Sequence, residues 1–314
     1  MQHTMHAKYV ILVITFKILI PASMQCHLNR ETVSTKHCIP GRRFYARLDH
    51  LLALSELFSK QSFSQAYAFP WIVQITAAYM GASTLCTGTL INDRYVITSK
   101  KCCKPPLRPE HLTIALGYTE YESNVIKVSP CYIRSPVTNI ILHPDYDSSN
   151  VTQENDIALL KIEPVIYTKT IYPIKLPDVT DKYKPLSKYA MEMVGYVRKN
   201  ATPNKSFTTI TLKPSRSNKC ISDVHNKNAT SNIICADITE ASFMTSCSIT
   251  SGMPILIEKP IAALNLSVLA GVLSSPVEVT NQCRLHGREV IAVKIVEKLS
   301  WILENTRDAN YCKG

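Results

Sequence analysis

Ser251, in the run Cys247-Ser-Ile-Thr-Ser251-Gly252-Met253-Pro254, and Lys101, just before Cys102, are two side chains that could do chemistry together. A serine hydroxyl attacks a carbonyl once a base takes its proton, and lysine is such a base only where loss of water lowers its pKa toward neutrality. Asp156, in Asn155-Asp156-Ile157-Ala158-Leu159-Leu160, works the other way. A carboxylate that the fold set opposite Lys101 would stabilise the ammonium, giving an ion pair with no proton-accepting capacity near pH 7. None of the nine histidines falls in a Cys/His or His-X-X-X-His pattern suited to a metal, so no metal or cofactor is expected.

Such residues need a rigid frame, and the composition supplies material for one. The chain has 314 residues, 46% of them hydrophobic and 19% charged, enough for a sizeable core. Eleven cysteines are too many for an ordinary cytosolic protein. Sequons at Asn150, Asn200, Asn204, Asn228 and Asn265 point the same way, to the secretory route. At the N-terminus, Lys8 precedes the apolar run Tyr9 to Ile20, and Pro21-Ala22-Ser23-Met24 suits cleavage, so residues 1–24 read as a signal peptide. Lys17 interrupts that run, which is in any case shorter than the roughly twenty residues of a spanning helix, and no other stretch is long enough.

The net charge of +11 falls to +9 when Lys8 and Lys17 leave with the signal peptide. A basic secreted chain meets sulfated glycans or acidic partners through long-range attraction, but no dense run of Lys and Arg appears. A basic solvated surface is the plainer expectation, and no nucleic-acid partner is expected.

Residues 25–65 read as an N-terminal extension, with Leu48, Leu51, Leu52, Leu54, Leu57 and Phe58 at helical spacing, suited to docking on the domain or binding a partner. From Trp71, short β-rich runs follow one another: 71–75, 112–116, 137–142, 157–161, 207–212 and 268–273. Pro, Asn, Asp and Ser separate them, which predicts an all-β barrel or sandwich. Helices are expected near 217–225 and over 295–305, the second carrying the stripe Val296, Leu299, Ile302 and Leu303.

The order and spacing of the Cys86–Cys102, Asn155–Leu160 and Cys247–Pro254 segments resemble a trypsin-like serine protease. Further markers are Phe69-Pro70-Trp71-Ile-Val-Gln-Ile75, Leu116-Gly117, His143-Pro144-Asp145-Tyr146 and Ser300-Trp301-Ile302. The resemblance covers roughly residues 66–305, within a domain taken as 66–314, and implies two packed six-stranded antiparallel barrels with a site in the cleft between them. It also implies the bridges Cys86–Cys102, Cys220–Cys235 and Cys247–Cys283. Met191 and Ile257 stand about where another common bridge would be, an apolar pair in place of two thiols. Cys26, Cys38, Cys103, Cys131 and Cys312 remain, an odd number that leaves at least one thiol free or joined to another chain.

By the same resemblance Ser251 takes the nucleophile position, Asp156 the orienting carboxylate, and Lys101 the place of the histidine base. Ile249 replaces the oxyanion-hole glycine, and its β-branched side chain is expected to crowd that site. Thr250 replaces the aspartate that receives the new N-terminal ammonium after zymogen cleavage, and no Ile-Val-Gly-Gly precedes Phe69. In the substrate region, Pro276 has no N–H for a bound peptide, Ser275 replaces an aromatic wall, Thr245 lies at the pocket floor and Val290 at another pocket position. His143 reads as structural, and His111 as a surface residue of the first barrel. Glu120 and Glu122 lie in a loop that binds calcium in some relatives, two acids being a weak signal. Together these residues imply an inactive, secreted family member that binds an extracellular protein. A weak serine–lysine hydrolase using Ser251 and Lys101, and a sulfated-glycan binder, are the alternatives.

Overall fold

Alternating apolar residues bounded by tight turns build two closed β-barrels, which the computed structural model describes through residues 38–44, 68–104, 106–117, 132–146, 154–198, 205–215, 232–241, 248–274 and 289–312. The first barrel contains β1 (Ile72–Tyr79), β2 (Ala82–Leu90), β3 (Tyr95–Thr98), β4 (Leu112–Leu116), β5 (Ile133–Leu142) and β6 (Ala158–Ile162). It closes in the order β1-β2-β3-β6-β5-β4, every pair antiparallel. Ile75, Leu90, Ile97, Ile114 and Leu160 are fully buried inside it, as closure of a small barrel requires.

The second barrel contains β7 (Met191–Arg198), β8 (Lys205–Pro214), β9 (Ile233–Ala241), β10 (Ser248–Ile249), β11 (Pro254–Ile261), β12 (Leu264–Leu273) and β13 (Glu289–Lys294). Six strands run β7-β11-β12-β13-β9-β8, a β7–β8 pairing closes the ring, and the two-residue β10 pairs with Val197 and Arg198, the end of β7 that β11 leaves uncovered. Met191 and Ile257 are directly opposed across β7 and β11 and buried, so an apolar cross-strand pair fills that position. After a 3-10 turn at Ile295–Lys298, helix α1 (Leu299–Asn305) buries Leu299 and Ile302 and sets Trp301 against His143, with ring centroids 4.9 Å apart. Helical structure thus spans the expected 295–305, with its first turn 3-10, and Leu303 is half exposed. The helices expected at 48–58 and 217–225 lie outside the described residues.

Residues 38–44 do not behave as a separate extension. Cys38 is buried and bridged to Cys312, and Ile39 N–H donates to the Tyr172 hydroxyl at 2.7 Å. Gly41 donates to Pro173 O and accepts from Ser267 N, both at 2.9 Å. Its φ is +76°, and a Cβ there would lie 2.1 Å from Ser267 O, so only glycine admits this approach. Arg43 then reaches into the second barrel, donating to Ser267 Oγ at 2.9 Å and pairing with Glu192 and Glu258, with Phe69 under its guanidinium at 4.7 Å. The strap joins the C-terminal tail to β7, β11 and β12, so these residues of the 25–65 segment dock on the domain.

Candidate functional site

At the end of β3, Ser99 opens a 3-10 turn, Lys100–Cys103, and its hydroxyl caps that turn by accepting from Lys101 N–H at 3.1 Å. The Cys86–Cys102 disulfide pins the turn to β2. Asp156, just before β6, lies beneath and is fully buried. Its carboxylate accepts from Ser274 at 2.6 Å, from Ser99 at 2.9 Å to each oxygen and from Lys101 N–H at 3.0 Å. The Lys101 ammonium stands 3.9 Å from Asp156 Oδ2, an ion pair at the limit of contact, with the lysine side chain 21% exposed.

Burial works against charge on both partners. It pushes the Asp156 carboxyl above its ordinary value, although hydrogen bonds from Ser274 and Ser99 and the Lys101 ammonium oppose the rise. Burial also lowers the Lys101 ammonium, against the attraction of Asp156 and with help from Lys104. The expected Lys101–Asp156 ion pair forms, and burial lowers the ammonium against it. Even so, a carboxylate with several convergent donors facing a partly hydrated ammonium favours the ionised pair at neutral pH.

Ser251 lies in the turn between β10 and β11 and is 9% exposed. Its carbonyl accepts from Thr87 N–H at 3.1 Å. Among the described residues its hydroxyl forms no hydrogen bond, neither to Lys101 nor to a histidine. Gly252 follows at φ +84°, where a Cβ would lie 2.2 Å from both Thr87 O and Thr98 Oγ1, so the turn requires glycine.

Ile249 and Thr250 are built in rather than projecting. Ile249 pairs with Val197 across β10 and β7 and is buried in the second core. Its side chain lies in the second core, and pairing of β10 with β7 holds its backbone. Thr250 Oγ1 donates to Tyr196 O at 2.7 Å and lies 2.9 Å from Thr87 Oγ1, which accepts from Tyr196 N–H at 3.1 Å. An ammonium receptor would be acidic, whereas this buried knot is neutral and internally satisfied. Val290, read as a pocket residue, is 1% exposed, opposite Ala236 and packed in the second core. It is a core residue here.

His143 accepts from Asp145 N–H through Nδ1 at 3.3 Å, and burial, with Lys298 nearby, lowers its pKa. His111 Nδ1 accepts from Arg108 N–H while its ring meets Tyr79 at 4.9 Å. Both are structurally engaged. Cys103 is buried and unpaired, and Cys235 is disulfide-bonded. Asn265 is exposed near the start of β12. Thr245, Ser275, Pro276, Glu120, Glu122, Asn150, Asn200, Asn204, Asn228, Cys26, Cys131, Cys220, Cys247 and Cys283 lie outside the described residues. Among the described residues no cluster of three metal-ligating side chains occurs, and no helix is long and apolar enough to cross a membrane. Ser99 and Ser274 are the site residues that sequence reasoning missed. A serine just before the Lys-Lys-Cys-Cys turn was a cap signal for the first.

Two antiparallel barrels with Asp156 and Ser251 brought in from separate turns define the architecture of a chymotrypsin-fold serine-protease domain. The trypsin family profile matches residues 59–302, and the chain belongs to that family. It is 28% identical over 257 residues to melanization protease 1 of Drosophila melanogaster and 27% identical over 260 residues to serine protease ea of the same fly. Those matches cover 76% of this chain but 63% and 64% of the two relatives, so the chain spans less than two-thirds of their length. It is also 26% identical over 240 residues to trypsin V-A of Rattus norvegicus, covering 76% of this chain and 85% of that protein.

Proposed function

We propose that this chain is a secreted, non-catalytic trypsin-family homologue that acts by binding an extracellular protein. The observation that carries the reading is the placement of Lys101: its ammonium faces Asp156, while the Ser251 hydroxyl has no base as hydrogen-bond partner among the described residues. Nucleophilic catalysis needs that contact, since a neutral serine hydroxyl is a poor nucleophile at pH 7. The neutral Thr250 knot, formed without an N-terminal ammonium, accords with a domain that no cleavage has to switch on. The barrels would then hold surface loops rigidly for recognition, a role resting on analogy of fold. The cysteine count, the sequons and exposed Asn265 support secretion and glycosylation.

The weak serine–lysine hydrolase is the second reading, favoured by one observation: burial lowers the Lys101 ammonium. A fluorescent serine-reactive phosphonate, applied to the secreted chain with a Ser251→Ala control, separates the two. Absence of labelling is expected. Labelling that is lost in Ser251→Ala and in Lys101→Ala would establish the hydrolase instead. Sulfated-glycan binding has less support, because Lys175, Lys182, Lys184, Lys259 and Lys294 are each paired with an acid. It predicts retention on heparin that is lost at high salt.

A further inference from the structure

The sequon Asn265-Leu266-Ser267 lies at the start of β12 with its two ends in opposite states: Asn265 is exposed, whereas Ser267 is 1% exposed. Residues two apart in a strand share a face, and the β11–β12 register sets Asn265 opposite Pro260 and Ser267 opposite Glu258. The strap docks on that face. Arg43 Nε donates to the Ser267 hydroxyl at 2.9 Å, and its guanidinium stands 3.3 Å from Glu258. Ser267 N–H donates to Gly41 O at 2.9 Å. The acceptor asparagine is therefore open, while the hydroxyl that completes the sequon is covered by the strap.

N-glycosylation needs both groups, because the transferase reads the hydroxyl two residues after the asparagine as well as the amide. The amide nitrogen bonds to the anomeric carbon of a lipid-diphosphate oligosaccharide, and the bond from that carbon to the phosphate oxygen breaks. The diphosphate leaves with the electron pair, and the amide gives one proton to the transferase.

We propose that the strap is a gate on glycosylation of Asn265, which is modified only on chains whose strap has not yet docked. The gate rests on the secretory reading above, since the transferase and its donor are met on that route. The order of synthesis opens a window for it. Residues 38–44 are made long before β12, but they dock only after Glu258 and Ser267 exist, and the Cys38 bridge waits for Cys312. Secreted protein is then a mixture of chains with and without a glycan at Asn265.

Peptide mass spectrometry of the full chain secreted from cultured animal cells reads occupancy at Asn265 beside that at Asn150, Asn200, Asn204 and Asn228. Gly41→Val adds a side chain where a Cβ would lie 2.1 Å from Ser267 O, and Arg43→Met removes the donor to the Ser267 hydroxyl, so each weakens the docked strap. Occupancy of Asn265 should rise from partial to near complete in both variants, with the other sequons unchanged. Ser99→Ala weakens a turn of the first barrel that the strap does not hold, so it controls for slower folding in general and should leave Asn265 partly occupied. Complete occupancy in the unaltered chain would overturn the proposal, as would occupancy that both strap variants leave unchanged or that Ser99→Ala raises equally. In each of those cases glycans elsewhere on the chain would leave the secretory reading standing. Absence of glycan from all five sequons would overturn that reading and the gate together.

Discussion

The Ser99 hydroxyl stands 2.9 Å from each carboxylate oxygen of Asp156, directing its single proton at the group that, in an active family member, would orient an imidazole. Ser274 and Lys101 N–H fill further acceptor positions, so Asp156 is an interior anchor with its hydrogen bonding largely met from the protein. Ser99→Ala removes both a donor to a buried carboxylate and the cap of the Lys100–Cys103 turn. A loss of about 1–3 kcal/mol is expected in urea denaturation. A change within experimental error would mean that water replaces the hydroxyl without cost.

Restoring the base should not restore the enzyme. Lys101→His supplies an imidazole, but Ser99 and Ser274 already hold Asp156, Ile249 remains strand-paired, and Thr250 keeps its neutral knot. Peptidase activity of the single variant on chromogenic peptides is expected to stay at background. Turnover in the usual enzyme range, kcat/KM of roughly 10⁴ M⁻¹s⁻¹ or more, would show that the other changes are tolerated.

The barrels were legible because strand alternation and turn residues are local signals, and β4 occupies the very run, Leu112–Leu116, that the pattern marks. Cys86–Cys102 followed from the family resemblance. The strap was not legible, since Cys38 and Cys312 are 274 positions apart and only the folded chain brings them together. The directions taken by Ile249 and Val290 were also hidden. A position in a motif fixes the place of an α-carbon, whereas β-pairing decides which face the side chain takes.

Arg43 links the strap to two acids and Ser267, with its side chain 13% exposed. Arg43→Met keeps much of the apolar stem but leaves Glu192 and Glu258 without the cation they share. The expected cost is about 1–3 kcal/mol, between the exposed and buried limits for broken ion pairs. Glu192→Gln on that background should recover part of the loss, and a double-mutant cycle reads the coupling. Strictly additive effects would show that the pair contributes nothing.

Cys103 follows the bridged Cys102 directly in the chain, yet its thiol is sealed in the core. Burial, reinforced by the Asp156 charge, raises its pKa to about 12, so the thiolate is scarce at pH 8. Iodoacetamide should leave Cys103 unmodified in the native, non-reduced protein and alkylate it once guanidinium unfolds the chain, as peptide mass mapping would show. Rapid native labelling would mean that the 3-10 turn opens easily.

Acid should weaken the contact between the segment linking the barrels and the second barrel through Asp181. Burial alone would raise this carboxyl, but hydrogen bonds from Lys259, from Asp178 N–H and from Lys184 outweigh it and hold the pKa below the ordinary 3.8. A carboxyl that titrates lower in the folded than in the unfolded chain contributes stability above the unfolded value, and loses it as pH falls through the folded value. The stability difference between the native chain and Asp181→Asn should therefore be largest above about pH 5 and shrink as pH falls below about 4. Urea midpoints measured from pH 6 down to about pH 2 follow that difference. A difference that stays constant across the range would mean that Asp181 contributes through shape and not through its charge.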